Sequence, residues 1–175
     1  MCEKARQIAD ELQKTLRIKL DLREGMTPGF KFNDWEMRGV PLRIEIGPRD
    51  LAAGSVTLSR RDRPGREGKT AAAWDSLAET CRRTLEEIQQ ALLQRATEFR
   101  NAHTFDPATY EEFRTAVENG FAFSWWCGAP ECETKIKEDT KATTRCIPID
   151  QPGGQGRCIV CGKEAPKKAY FGKAY

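Results

Sequence analysis

The sequence predicts an α/β fold: a mixed β-sheet flanked by helices, followed by a small α+β module built around a metal. Three observations lead there. Short stretches in which apolar and polar residues alternate, such as Ile18–Leu22, Leu42–Ile46 and Ser55–Arg60, are interleaved with segments of helical spacing. A long apolar stripe at three- and four-residue steps closes the first hundred residues. Near the C-terminus, Cys127 and Cys132 form a C-x4-C pair and Cys158 and Cys161 a C-x2-C pair, each beside a glycine.

The elements follow in order. Ala5, Ile8, Ala9, Leu12 and Leu16 lie at helical spacing, so a helix is expected over 3–16. Ile18, Leu20 and Leu22 alternate with charged residues and predict a half-buried strand. Thr27 and Pro28 are an N-cap and first-turn pair, opening a helix that stops at Gly39. Leu42, Ile44 and Ile46 predict the next strand, 50–54 a turn, 55–60 a third strand and 61–69 a loop. The stripe Leu77, Cys81, Leu85, Ile88, Leu92, Ala96 and Phe99 predicts a helix over 74–103.

Asp106 and Pro107 read as the start of a further helix ending at Asn119-Gly120, with Tyr110, Phe113 and Val117 inward. A strand over 121–126 leads into the first cysteine pair, and 133–140 reads as a short helix. Ile147 and Ile149 are expected to pair with a last strand at 169–171, across the loop 151–156. The strand-helix-strand order implies an α/β unit over 1–103, with the helix 74–103 connecting it to a unit over 104–175. The chain opens on a helix with no strand before it, so one side of the sheet is expected to be short of a strand.

Bulk properties bound the function. With 31% charged and 39% hydrophobic residues and no long apolar run, a membrane span is excluded. The first residues, MCEKARQIADELQ, are charged and amphipathic rather than an apolar leader, which points to the cytoplasm. A net charge of +3 does not by itself imply nucleic acid. Between Arg38 and Lys69, however, eight basic residues face four acidic ones. On charge alone that segment is equally a solvated loop.

In a reducing compartment the paired cysteines read as a metal or redox site rather than staples. Zn2+ prefers four soft ligands in a tetrahedron, and a closed four-thiolate set is structural. Two disulfides or buried thiols are the alternatives. A redox role is disfavoured, since neither pair has the strand-to-helix setting that lowers a thiol's pKa. Of seven cysteines, Cys2, Cys81 and Cys146 remain outside the set, Cys81 as a small core residue. Trp125 and Trp126 are expected to roof the metal. His103, the lone histidine, reads as a helix C-terminal cap. No nucleophile and base are assembled, so no catalytic residue is assigned.

The run from Thr27 to Asp50, TPGFKFNDWEMRGVPLRIEIGPRD, resembles the anticodon-binding domain of class II aminoacyl-tRNA synthetases, and most of all the prolyl-tRNA synthetase family. The segments 126–132 (WCGAPEC), 142–148 (ATTRCIP) and 170–175 (YFGKAY) resemble the C-terminal zinc domain of its archaeal/eukaryotic-type branch. The likeness extends over nearly the whole chain. It implies the C-terminal part of a proline–tRNA ligase, which attaches proline to tRNA with ATP and Mg2+ in a catalytic domain that this sequence does not contain. Alone, the chain is expected to be inactive. The family's anticodon domain begins with a strand that is missing here. A freestanding zinc-containing module that binds tRNA or a synthetase, without catalysis, is the rival reading.

Proline anticodons carry two adjacent guanines. A carboxylate can accept from guanine's ring N–H and exocyclic amine, and Arg or Lys can donate to its acceptors. Glu36 and Arg43 suit those roles by residue type. The resemblance implies that Glu36, Arg43, Arg49 and Lys69 contact the anticodon and that Phe32 stacks on a base. From pattern alone, Glu36 could pair with Lys31 or Arg38, Arg43 and Lys69 could face solvent, Arg49 could hold a turn, and Phe32 could join Trp35 in the core. The resemblance further implies that Cys127, Cys132, Cys158 and Cys161 bind zinc while Cys146 does not. It also implies that Tyr175 docks toward the catalytic domain, and that the parent enzyme is a homodimer.

Overall fold

The computed structural model describes residues 1–174. The chain forms two compact units, the first Met1–Arg95 and the second from Ala96 onward. Among the described residues, no helix is long and apolar enough to cross a membrane.

In the first unit, α1 (Cys2–Leu12) buries Ile8, Ala9 and Leu12. It ends earlier than its periodicity suggests, though Leu16 still packs on the core across the following turn. The expected strand over 18–22 does not form. Ile18, Leu20 and Leu22 are indeed half-buried, but the segment makes no ladder with a described strand. Alternation records which side chains turn inward; it cannot supply the neighbouring strand that a ladder needs. Instead Asp21 ties the segment to α2 (Pro28–Met37) by accepting from Trp35 Nε1 at 2.8 Å, and Arg23 pairs with Asp34 at 2.8 Å.

The α2 N-cap is as expected: Thr27 Oγ1 accepts from Phe30 N at 3.3 Å. Thr27→Ala should destabilise the chain by about 0.5–1 kcal/mol in chemical denaturation, with Thr27→Asn close to wild type. Equal losses for both variants would show that the cap contributes nothing.

The sheet of this unit is β1 (Leu42–Glu45), β2 (Ser55–Arg60) and β3 (Lys69–Ala73), in that order and antiparallel throughout. Two elements were hidden in the sequence. The expected turn at 50–54 is part of a short helix, α3 (Pro48–Ala53), with Pro48 at its first position and Asp50 Oδ2 accepting from Gly47 N at 2.7 Å. β3 lies where a loop end was expected, because Lys69-Thr-Ala-Ala-Ala has weak strand propensity and gains its conformation from pairing with β2.

One sheet face carries Leu42, Ile44, Val56, Leu58 and Ala72 and forms the core with Ile8, Leu12, Leu77 and Cys81. Arg60 is also buried there, neutralised by Asp62 and Glu87 at 2.9 Å each. α4 (Leu77–Ala102) buries Leu77, Cys81, Thr84 and Ile88, but Leu93 and Phe99 are 63% and 66% exposed. At 1.5 Å per residue this helix is about 39 Å long, so it outruns the three-stranded sheet it covers.

In the second unit, β4 (Thr104–Phe105) pairs parallel with β5 (Phe121–Trp126). The intervening helix α5 (Tyr110–Asn119) starts later than expected. Thr109 Oγ1 accepts from Glu112 N and Glu112 reaches back to Thr109 N, a reciprocal box that competes successfully with Asp106 as the cap. Asp106 instead takes the buried Lys168 ammonium at 2.5 Å.

α6 (Pro130–Thr140) is followed by β6 (Ala142–Cys146), β7 (Gly156–Arg157), β8 (Glu164–Ala165) and β9 (Lys167–Lys173). The sheet order is β4-β5-β9-β6, and β7 and β8 form a separate hairpin. The expected pairing of Ile147 and Ile149 with the last strand is displaced. β6 pairs with β9 instead, leaving Ile149 fully exposed. The register sets Ala142 and Thr144 on the core face of β6, where Ala142 is fully buried in the cluster with Ile136, while Ile147 stays exposed. The core joins Phe113, Ala116 and Val117 of α5 and Ile136 of α6 to Ala122, Ala169 and Phe171 of the sheet.

Candidate metal centre and nucleic-acid interface

The two cysteine pairs come together. Cys127 follows β5 directly, Gly128 turns the chain at φ 82°, and Cys132 lies in the first turn of α6, which begins earlier than expected. This pair therefore does sit on a strand-to-helix turn, contrary to the sequence expectation. Cys158 and Cys161 occupy the tip of the β7–β8 hairpin, where Gly162 at φ 69° donates to Cys158 O at 2.9 Å. Both glycines hold left-handed backbone that a β-carbon would strain.

The four sulfurs lie within 4.8 Å of one another. Cys127 Sγ is 3.7 Å from Cys132 Sγ and 3.8 Å from Cys161 Sγ. Disulfide sulfurs are bonded at about 2.0 Å, so the cysteines are free. Thiolates bound at about 2.3 Å around a tetrahedral zinc stand about 3.8 Å apart, which these separations match. The cluster can therefore hold a metal ion.

Their surroundings fit that role. Trp125, Trp126, Ala129 and Val160 pack against the buried Cys132, Cys158 and Ala165, so the tryptophans do roof the cluster. Ile159 N donates to Trp125 O at 3.0 Å and fastens the hairpin tip to β5. Burial alone would raise the Cys158 thiol. Backbone N–H groups of Cys161, Val160 and Cys127 outweigh it and bring that thiol down to about 7. Burial pushes Cys132 and Cys127 up, with neighbouring sulfurs adding to the rise at Cys132. Four like groups this close can all ionise only with a cation among them.

Cys146 is exposed and outside the cluster. His103 is also apart. Its Nδ1 lies 2.8 Å from Phe99 O and its ring stacks on Phe99, consistent with a helix-end role. Tyr175 lies outside the described residues.

Four of the other sequence-derived residues, Glu36, Arg43, Lys69 and Phe32, meet on the first unit's sheet, on the face opposite its core. Strand alternation puts Arg43 and Glu45 on this face, and the register sets Ser59 opposite both Arg43 and Lys69. Glu36 and Phe32 approach from α2. Arg43 Nη1 donates to Glu36 at 2.5 Å, its Nε and Nη2 donate to Glu45 Oε1 at 3.1 and 3.0 Å, and Nη2 also reaches Ser59 Oγ at 3.2 Å. The guanidinium carbon stands 3.9 Å from the Phe32 ring centre. Lys69 Nζ donates to Glu45 Oε2 at 2.9 Å.

Glu36 thus has an ionic partner, but it is Arg43 rather than Lys31 or Arg38; Arg38 pairs with Asp34. Arg49 is exposed on α3 and joins none of these contacts. Trp35, expected in the core, is only half-buried. It lies beside the Arg38 and Arg23 guanidinium groups and borders a small hollow shared with Glu36, Val40, Arg43, Ser59 and Arg61. Sequence reading missed Glu45, Ser59 and Arg61 here. Glu45 was legible as a same-face neighbour of Arg43; Ser59 required the strand register, and Arg61 the turn after β2, where its N–H donates to Pro41 O.

Residues 1–84 match the family model "Anticodon binding domain", and residues 110–175 match "Prolyl-tRNA synthetase, C-terminal". The chain belongs to the prolyl-tRNA synthetase family, in its C-terminal part. It is 51% identical over 173 residues to a proline–tRNA ligase of Roseiflexus sp. (strain RS-1), covering 99% of this chain and 36% of that protein. Against the proline–tRNA ligase of Chloroflexus aurantiacus (strain ATCC 29366 / DSM 635 / J-10-fl) the identity is 48% over 160 residues, 91% of this chain and 33% of the relative. The corresponding ligase of Ruminiclostridium cellulolyticum is 44% identical over 175 residues, with 36% of its length covered. The chain spans about a third of the length of the relatives it matches.

Proposed function

We propose that this chain supplies the anticodon-reading and zinc-holding parts of a proline–tRNA ligase. Residues 1–103 carry the anticodon-binding part, and residues 104–175 carry the zinc domain. The reading rests on one observation above all: Glu36, Arg43, Lys69 and Phe32 converge on a sheet face turned away from the core. Scattered surface charges would not share one network.

In this reading the Glu36 carboxylate accepts from the ring N–H and amine of an anticodon guanine, and Arg43 donates to a base acceptor. Phe32, with the Arg43 guanidinium over it, offers a stacking platform, since bases stack on aromatic rings and on guanidinium groups alike. Arg49 and Lys69 complete the basic rim. The ion is Zn2+, held by Cys127, Cys132, Cys158 and Cys161. It is structural, because four protein thiolates leave no open position. The parent enzyme would attach proline to tRNA with ATP and Mg2+ in its catalytic domain, work in the cytoplasm as a homodimer, and receive Tyr175 near its active site.

Arg43→Ala should weaken binding of the 175-residue chain to an anticodon hairpin with the proline guanines by about 1–3 kcal/mol, and spare hairpins lacking them. Fluorescence anisotropy at fixed salt would measure this. Equal loss for every hairpin would reduce Arg43 to a phosphate contact.

A further inference from the structure

Glu45 stands at the centre of the charged face, although neither its residue type nor the family likeness singled it out. One carboxylate oxygen takes Arg43 through two nitrogens, at 3.1 and 3.0 Å, and the other takes Lys69 at 2.9 Å. Lys69 belongs to β3 and Arg43 to β1, with β2 between them. Alternate strands are about 9.6 Å apart, too far for the two cations to be set by direct contact. Glu45 bridges that gap across Thr57 and Ser59.

Arg43 is consequently held on several sides. Its Nε–Nη2 edge faces Glu45, Nη2 also reaches Ser59, and its guanidinium carbon stands over the Phe32 ring. Only Nη1 is directed to Glu36, through a single bond at 2.5 Å. A guanidinium prefers to grip a carboxylate with two parallel bonds, which Glu45 prevents at Glu36 by occupying the second edge.

We propose that Glu45 is a positioning residue for guanine recognition: it fixes Arg43 and Lys69 in place and keeps Arg43 from closing a two-bond clamp on Glu36. The inference rests on the anticodon reading above. A guanine approaching Glu36 then has one Arg43 bond to replace, and Arg43 remains aimed at the base's acceptor atoms. Without the Glu45 charge, the guanidinium turns its free edge to Glu36, masking the carboxylate that reads the base, and Lys69 loses its anchor. Glu45 is on the face opposite the core, so Glu45→Gln keeps shape and leaves the packing intact.

The test compares wild type and Glu45→Gln, as the 175-residue chain, on anticodon hairpins carrying guanine or inosine at the two proline positions. Inosine lacks only the exocyclic amine. Wild type should prefer guanine by about tenfold, as expected of a well-made base contact. Glu45→Gln should bring that preference to within about twofold at an unchanged melting temperature. A purely structural role for Glu45 would weaken both hairpins alike and lower the melting temperature. In RNA-free protein, the Arg43 Nε–H should exchange with solvent faster in Glu45→Gln by NMR. If wild type prefers guanine and Glu45→Gln retains the full preference, the positioning role is overturned while the anticodon reading stands. If wild type shows no preference, the anticodon reading fails, and unchanged Arg43 exchange would then overturn Glu45's hold as well.

Discussion

Stripping the metal from the four-cysteine cluster should cost the second unit its ordered hairpin. Structural zinc contributes roughly 10–16 kcal/mol of apparent binding free energy at neutral pH. That is comparable to the whole stability of an ordinary domain, about 5–15 kcal/mol. The β7–β8 hairpin has only two residues in each strand, and the apolar group around Cys132, Cys158 and Ala165 is small. Apart from the sulfurs, the hairpin tip is held to β5 and the core by the Ile159 N–Trp125 O bond and by Ile159 and Val160, both only partly buried. The protein as purified should hold one zinc ion per chain. On chelation, peptides covering 125–165 should lose protection in hydrogen-exchange mass spectrometry, while peptides covering 42–73 keep theirs. Cys158→Ser should abolish stoichiometric metal, whereas Cys146→Ser, outside the cluster, should retain it. Acid should release the metal too, because protons compete for the thiolates. A metal-free protein with 125–165 fully protected would sink the structural role.

Phe171→Ala should be the most damaging single core change in this unit. Phe171 is fully buried on β9, where the strand pairs with β5 on one side and β6 on the other. Its ring meets Phe113 edge-on at 5.3 Å and Trp126 at 6.2 Å, so it joins α5 to the strand that enters the metal cluster. Truncating a buried phenylalanine costs about 3–5 kcal/mol, from lost burial and the cavity left behind. For a unit of this size that lowers the melting temperature by on the order of 20 °C. Tyr170→Ala, on the opposite sheet face where the ring is half-buried against Phe123, should cost clearly less. Similar losses for the two variants in calorimetry would mean that the core is not centred where the packing puts it.

Much of the site was legible in the sequence because its chemistry is local. The cysteine spacing, with a glycine after Cys127 and after Cys161, pointed to the cysteine cluster without any knowledge of the fold. The α2 cap at Thr27 and the strands over 42–46 and 55–60 were equally local, set by side-chain type and period. What failed depended on partners distant in sequence. The 18–22 segment has a strand's alternation but no described neighbour to pair with. Lys69–Ala73 has a neighbour, β2, that overrides its weak propensity. Asp106 looked like a helix cap, yet a lysine 62 residues later claims its carboxylate.

The sequence by itself determined the family, the four cysteines that cluster and the residue types at the candidate anticodon face, since these are written in short motifs. Only the tertiary structure decided how those residues meet. Strand register lined up Arg43, Ser59 and Lys69 and put Glu45 between two cations, while α2 presents Glu36 to Arg43 rather than to its helix neighbours. The physical reason is that register is fixed by burial of the opposite face, where Leu42, Ile44, Val56 and Leu58 pack against α1 and α4. The apolar side of the sheet thus sets the geometry of its charged side, and no single segment contains that information.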